Sequence, residues 1–286
     1  MQISFRMLMA PVAVSVMFAA GSATAATYGS YADHEVDVAS TLSASFQNVV
    51  TNSWVNLSAF AQNGVPGLTG TGSFPGTTMW APKASQVDSV IGDAGGTAGG
   101  ATLTKVSNSP AGGGAYAASS SLYFGGFSGD VNVNGGSLAV VDSSPLAGLQ
   151  HISFQVGIGE ASTYDFYNHV LPTLTYTTSL GTVSSVVATS SSILEAFNNG
   201  TVTMPTGEEP IYINQYLLQW DLSNVNEQIT SFSIGFTGVQ HAQVYGLTLT
   251  QAAVAAVPEP STYAMLLSGM AMMGVVGAVR RRQRQA

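Results

Sequence analysis

Asp130-Val131-Asn132-Val133-Asn134-Gly135 sets side-chain oxygens at alternate positions ahead of a glycine. That spacing lets Asp130, Asn132 and Asn134 converge on a hard cation such as calcium, with Gly135 permitting the turn. The last ligand position of such a loop falls on Val141 instead of a glutamate, so a complete EF-hand is excluded. The same stretch also reads as a strand, with Val131 and Val133 inward and the polar residues outward, closed by an Asn-Gly turn.

Carboxylate pairs come next, because glycoside hydrolysis needs two across a cleft. Glu160 and Asp165 flank 161–164 in an inter-strand loop, whereas Glu208 and Glu209 precede Pro210 and read as a solvated loop. The four histidines, His34, His151, His169 and His241, form no HExxH and no i, i+4 pair, and no GxSxG occurs. His34 has ligand chemistry beside Glu35 and Asp37, but near a chain start expected to be loose. His151 and His241 stand at strand starts and read as structural. Carbohydrate stacking is open to Trp54, Trp80 and Trp220 and to the loop group Tyr164, Phe166, Tyr167 and Asn168. Trp80, between Met79 and Ala81-Pro82 outside any strand pattern, is the tryptophan expected at the surface; Trp220 in Leu-Leu-Gln-Trp reads as core.

These groups must be positioned by strands. Ala115–Phe124, Ser137–Val141, Gln150–Ile158, Thr173–Thr178, Val183–Thr189, Ile211–Leu222, Gln228–Phe236 and Gln243–Thr250 are rich in Val, Ile, Thr and aromatics, several with apolar residues on one face. Period two of that kind is the half-buried antiparallel strand pattern. One or two strands are expected in Phe46–Phe60 and another in Ala101–Val106, inside the glycine-rich Gly92–Gly114. Only Ile193–Phe197 suggests a helical turn. With no helical pattern between strands and no repeat, the expected fold is an all-β antiparallel sandwich, jelly-roll-like. The final strands look like those of lectin-like or galactose-binding-like jelly rolls, a likeness of shape that fixes no function.

Charge narrows the function. Of 15 acids only Glu259 lies near an end, leaving 14 between Ala26 and Val257, against Lys83 and Lys105, a net of −12. A body with no arginine and two lysines cannot neutralise a nucleic-acid backbone, so that class is excluded. There is no cysteine, which removes thiol nucleophiles, thiolate zinc sites and disulfides.

The ends carry addresses. Arg6, the apolar run from Met7 to Ala20 and Ala23-Thr24-Ala25 read as a secretory signal, 1–25, cut before Ala26. At the other end stand Pro258-Glu259-Pro260, the uncharged Ala264–Val279, and Arg280, Arg281, Arg282 and Arg284. The uncharged segment is just short of the ~17–25 residues of a spanning helix, Tyr263 extends it, and the arginines should stay cytoplasmic. Val257-Pro258-Glu259-Pro260-Ser261-Thr262, the Leu/Met/Gly/Ala-rich segment and Arg280–Arg282 together resemble the PEP-CTERM sorting signal of Gram-negative bacteria. The resemblance implies recognition by an exosortase-type membrane enzyme, cutting near Pro-Glu-Pro, and sorting to the surface in bacteria that make exopolysaccharide.

The expected organisation is a signal peptide (1–25), a β-sandwich (26–251), a linker (252–257) and a sorting and anchor segment (258–286). The expected function is that of an exported, non-enzymatic surface or matrix protein, with exopolysaccharide as the partner that fits; no cofactor is required, calcium being the one cation the residues suggest. The alternative is a secreted glycan-active enzyme on the same scaffold.

Overall fold

A computed structural model describes residues 28–55, 57, 90–92, 98–118, 121–126, 128–204 and 207–254. The signal segment 1–25, Phe60, Trp80, Pro258-Glu259-Pro260 and Arg280–Arg282 lie outside the described residues, as does the expected membrane helix. Among the described residues no helix is long and apolar enough to cross a membrane.

The chain is an antiparallel β-sandwich of two sheets. The first contains β1 (Asn48–Trp54), β4 (Gly114–Ala117), β5 (Leu122–Gly125), β7 (Leu149–Gly159), β10 (Ser190–Met204), β11 (Gly207–Asp221) and β13 (Gln243–Ala253). Its order is β10-β11-β7-β13-β5-β4, with β1 also paired to β13. The second contains β2 (Val90–Gly92), β3 (Thr102–Asn108), β6 (Asn134–Asp142), β8 (Thr173–Thr178), β9 (Val183–Val186) and β12 (Ile229–Val239), in the order β2-β3-β6-β12-β8-β9. A short helix α1 (Val38–Ser43) is capped by Asp37, whose side chain accepts from the Ser40 N–H.

The alternation seen in sequence fills the space between the sheets. Ile152, Phe154, Val156 and Ile158 of β7, Leu247 and Leu249 of β13, and Phe232, Ile234 and Phe236 of β12 are all buried in one cluster. Phe154 and Phe236 meet across the sandwich with ring centroids 6.3 Å apart, a favourable tilted pair. Trp54 and Trp220 are 2% and 1% exposed, so neither is a surface stacker. The Trp220 indole N–H donates to the Val186 carbonyl at 3.2 Å.

Several expectations need correction. Ala115–Phe124 is not one strand but the hairpin β4–β5. Ile193–Phe197 is not a helical turn; it lies in β10, paired to β11 from Ser190↔Gln219 to Met204↔Gly207. A single helical turn leaves most of its backbone groups unsatisfied, whereas the ladder pairs twelve of the fifteen residues of β10 with β11. The start of the described chain is not loose either. Residues 28–45 lie across the outer face of the first sheet. Tyr31 is 1% exposed, and Gln155 of β7 accepts the Val36 N–H at 3.0 Å and donates to the Val36 carbonyl at 2.7 Å. This strap buries the polar outward face of β7 and β13, including Gln155, Thr248 and Thr250, which strand periodicity alone would leave in water.

His34 fastens the strap to the β10 edge. Its Nδ1 lies 2.8 Å from Glu195 Oε2 and its Nε2 2.6 Å from the Tyr28 carbonyl, and its ring stacks on Tyr28 at 4.2 Å. Both partners only accept, so the two bonds form together only when the ring is the imidazolium. Burial alone would lower its pKa, but the Glu195 carboxylate and the Tyr28 carbonyl outweigh burial and raise it above the ordinary histidine value. A raised pKa gives stability that is complete below the unfolded value near 6.5 and is lost as pH rises through the folded value. We expect hydrogen exchange of 28–45 to quicken as pH rises through the raised His34 value, after correction for intrinsic exchange. His34→Gln should remove that step, and an unchanged step in the variant would show that another group controls it.

Candidate functional site

One end of the sandwich gathers three loops and a hairpin arm around a cleft of about 370 Å³. The loops run 128–133, 160–170 and 239–243. The arm exists because β11 meets β7 only from Ile213↔Gly159 to Asp221↔His151, so the tips of β10 and β11 extend past the sheet. The arm contributes Asn199, Val202 and Ile211; the strands and loops contribute Asp130, Asn132, Glu160, His241, Gln243 and Tyr245.

The described non-glycine residues with positive φ are Asn132 (54°), Ser162 (51°), Thr163 (69°), Asn168 (55°), His169 (56°) and His241 (74°). All six lie in these three loops. Such conformations cost of order 1–3 kcal/mol each and persist only where surrounding contacts enforce them. The contacts are visible. Asn132 and Asn168 bond reciprocally, Nδ2 of Asn132 to Oδ1 of Asn168 and the Asn168 N–H to Oδ1 of Asn132, both at 2.9 Å. Buried Gln240 accepts the Ser128 N–H at 3.1 Å and donates to Ser109 Oγ at 2.9 Å and to the Gly112 carbonyl at 3.2 Å. Its own N–H donates to the Val133 carbonyl at 2.8 Å.

Ser162 and Thr163 sit at the centre of a two-residue turn closed by Ala161 and Tyr164, whose N–H groups donate across it at 2.7 and 3.0 Å. Two positive φ values define a type I′ turn, which favours Asn-Gly; a β-branched residue there is strained. Replacing Ser162-Thr163 by Asn-Gly should therefore raise stability by about 1 kcal/mol, read as a higher denaturation midpoint. No gain would mean that the turn is held by contacts beyond its own backbone.

The bend at Asn132 corrects the strand reading of 130–134. Val131 is 53% exposed instead of inward, and β6 begins only at Asn134. The left-handed residue interrupts the pleat. Of the three candidate calcium ligands, Asp130 is exposed and lines the cleft, Asn132 Oδ1 is engaged by Asn168, and Asn134 Oδ1 accepts the Gly136 N–H at 2.8 Å. Among the described residues no three His, Cys, Asp or Glu side chains stand together as a metal group.

Glu160 and Asp165 do come together, through Asn214 of β11. Its Nδ2 donates to Glu160 Oε1 at 2.8 Å and to Asp165 Oδ2 at 3.3 Å. Asp165, 6% exposed, also accepts the Phe166 N–H at 2.6 Å and the Tyr216 hydroxyl at 2.5 Å. Burial first, then the Asp165 carboxylate, pushes the Tyr216 phenol far above its ordinary value, so it remains a donor. Asp165 therefore works as a structural acceptor beneath the loop, while Glu160 lines the cleft. His241 Nδ1 is 2.6 Å from the Tyr123 hydroxyl.

The remaining sequence candidates do not line the cleft. His151 stacks on Phe46 at 6.0 Å, and burial lowers its pKa. Phe166 is fully buried, Tyr164 stacks on His169 at 4.5 Å, and Tyr167 packs on the core. Tyr245, Gln243 and Asn199 carry no motif; only the topology brings them to the cleft. A second hollow, about 360 Å³, is lined by Val106, Val170, Leu171 and Phe236 and offers mainly apolar walls.

The fold and site define an all-β sandwich with a loop-built cleft lined by both polar and apolar groups. The tail defines its destination: residues 256–282 match the PEP-CTERM protein-sorting motif. That motif implies an exported protein, recognised by an exosortase-type sorting enzyme and carried through the envelope toward the cell surface. No curated protein and no solved structure matches the chain.

Proposed function

We propose that this is a non-enzymatic cell-surface or matrix protein, delivered by its tail and binding polysaccharide in the loop-built cleft. The observation that carries this reading is the cleft's composition. Side-chain amides and carboxylates stand beside the rings of Tyr245 and His241, the pairing of planar polar groups with apolar ring faces that suits a sugar. Hydrolysis is the rival, favoured by the closeness of Glu160 and Asp165. Against it, Asp165 accepts three bonds below the loop and does not line the cleft.

A glycan array probed with the full-length protein in detergent, with and without calcium, tests the proposal. Retention of at least one polysaccharide class, without release of reducing ends, supports it. Binding to none overturns the glycan reading, and steady release of reducing ends would establish the enzyme instead. A melting shift with calcium would support the Asp130, Asn132 and Asn134 site.

The address is tested separately. Glu259→Ala should leave the melting curve unchanged and reduce the surface-exposed fraction several-fold in fractionated cells. Mass spectrometry of the surface form should find no peptide covering Arg280–Arg282; recovery of that peptide would mean the tail is retained as an anchor.

A further inference from the structure

We infer that the cleft selects amine-bearing sugar polymers and rejects uronate-bearing ones; this rests on the reading that the cleft takes a glycan. The charge around it has one sign. Asp130 is exposed on its rim, and Glu160 uses Oε1 for the Asn214 amide while no described protein donor reaches its second oxygen. Among the described residues no lysine or arginine lines the cleft. The one described lysine or arginine, Lys105 of β3, is 5% exposed, and burial lowers its pKa to about 8. Among the described residues His241 is the cleft's one basic side chain, and its Nδ1 is engaged by Tyr123.

The two signs of ligand meet this cleft differently. A uronate would lose water from its carboxylate and find no cation among the described lining residues, while the carboxylates of Asp130 and Glu160 repel it; an ammonium would find carboxylate acceptors instead. The surrounding field has the same sign, because the segment between the two ends carries a net charge of −12. A cleft lined by one sign of charge concentrates ligands of the opposite sign and slows approach of the same sign. The neutral part of recognition falls to the lining residues Gln243 and Tyr245: Gln243 Oε1 accepts the Ser121 hydroxyl at 2.8 Å and Asn199 bonds the Tyr245 hydroxyl, which leaves the Gln243 NH₂ and the Tyr245 ring for a pyranose.

The test compares three hexamers on the full-length protein in detergent at pH 6, by calorimetry: fully deacetylated glucosamine, N-acetylglucosamine and galacturonate. We expect glucosamine to bind tightest, N-acetylglucosamine more weakly and galacturonate not at all, with the glucosamine preference shrinking as salt rises. Asp130→Asn and Glu160→Gln should each lower glucosamine affinity about three- to five-fold, the size of one partly exposed ion pair. Glu227→Gln, exposed and away from the cleft, should not change it. Equal or tighter binding of N-acetylglucosamine would overturn the charge selection and leave the glycan reading standing, as would galacturonate binding. Glucosamine affinity that falls equally with Glu227→Gln, or with neither cleft variant, would also overturn the inference, since attraction would then come from the whole acidic surface. Failure of all three hexamers, together with an empty glycan array, would remove the glycan reading itself.

Discussion

Tyr31→Ala should destabilise the protein by about 3–4 kcal/mol, the range of a large buried aromatic cut to alanine, and should release residues 28–45 from the first sheet. Tyr31 is 1% exposed although it lies outside the space between the sheets. It fits because two strands carry glycine beneath it. A Cβ on Gly246 would stand 2.2 Å from Tyr31 Cγ, and one on Gly157 2.9 Å from Cδ2. At the bottom of the slot the Tyr31 hydroxyl donates to Thr248 Oγ1 at 3.2 Å, and burial raises its pKa, so the phenol stays protonated. Removing the ring leaves a void floored by Gly157 and Gly246, which carry no side chain to fill it. Gly246→Ala should act from the other side and cost about 1–3 kcal/mol by overpacking. Denaturant melts give the stability, and amide exchange across 28–45 gives the release. Unchanged protection in Tyr31→Ala would mean that Gln155 and His34 suffice to hold the strap.

That strap marks where sequence reading stops. Inward faces were legible because burial between two sheets imposes period two, and Ile152, Phe154, Val156 and Ile158 obey it as written. The outward face of β7 was not, since Ser153, Gln155 and Gly157 look like solvent positions until a distant segment covers them. His34 was visible as a reactive residue near a chain start; its partner, Glu195, lies 161 residues away, and no local pattern joins them. Ile193–Phe197 misled for a related reason. Its apolar spacing is compatible with one helical turn, and only the facing β11 decides for strand. At the cleft, the glutamate and aspartate of the 160–165 loop were recognisable, and so was the Asp-Asn-Asn run. Their separate fates were not: one carboxylate reaches the cleft and the other is sealed below it by Tyr216 and Asn214. Which of two nearby acids is buried depends on donors brought from β11, a contact of long sequence separation. The tail was readable from sequence alone, because its three parts are contiguous in the chain.

The sealed carboxylate gives the other large effect. Asp165→Ala should cost about 3–5 kcal/mol, because it strands three donors, two of them buried, that now share one charged acceptor, and bonds to charged groups contribute roughly 1.5–3 kcal/mol each without adding fully. The donors are the Phe166 N–H, the Asn214 amide and the Tyr216 hydroxyl. Asp165→Asn should cost about half as much. Its oxygen can keep one set of donors, but its NH₂ must then face either the Phe166 N–H or the Asn214 amide; only the Tyr216 hydroxyl can turn to accept. Tyr216→Phe alone should cost about 1–2 kcal/mol, and in combination with Asp165→Asn the losses should fall short of their sum, the mark of a shared network. The consequence extends to the cleft. Asn214 is held between Asp165 and Glu160, so losing Asp165 lets the amide turn and frees the Glu160 side chain, weakening glycosaminyl ligands in Asp165→Asn even at temperatures where it remains folded. A Tyr216→Phe variant folded as well as wild type, with additive losses in the double variant, would show that the hydroxyl contributes nothing to this network. Full glucosamine affinity in a folded Asp165→Asn would show that Glu160 is positioned without it.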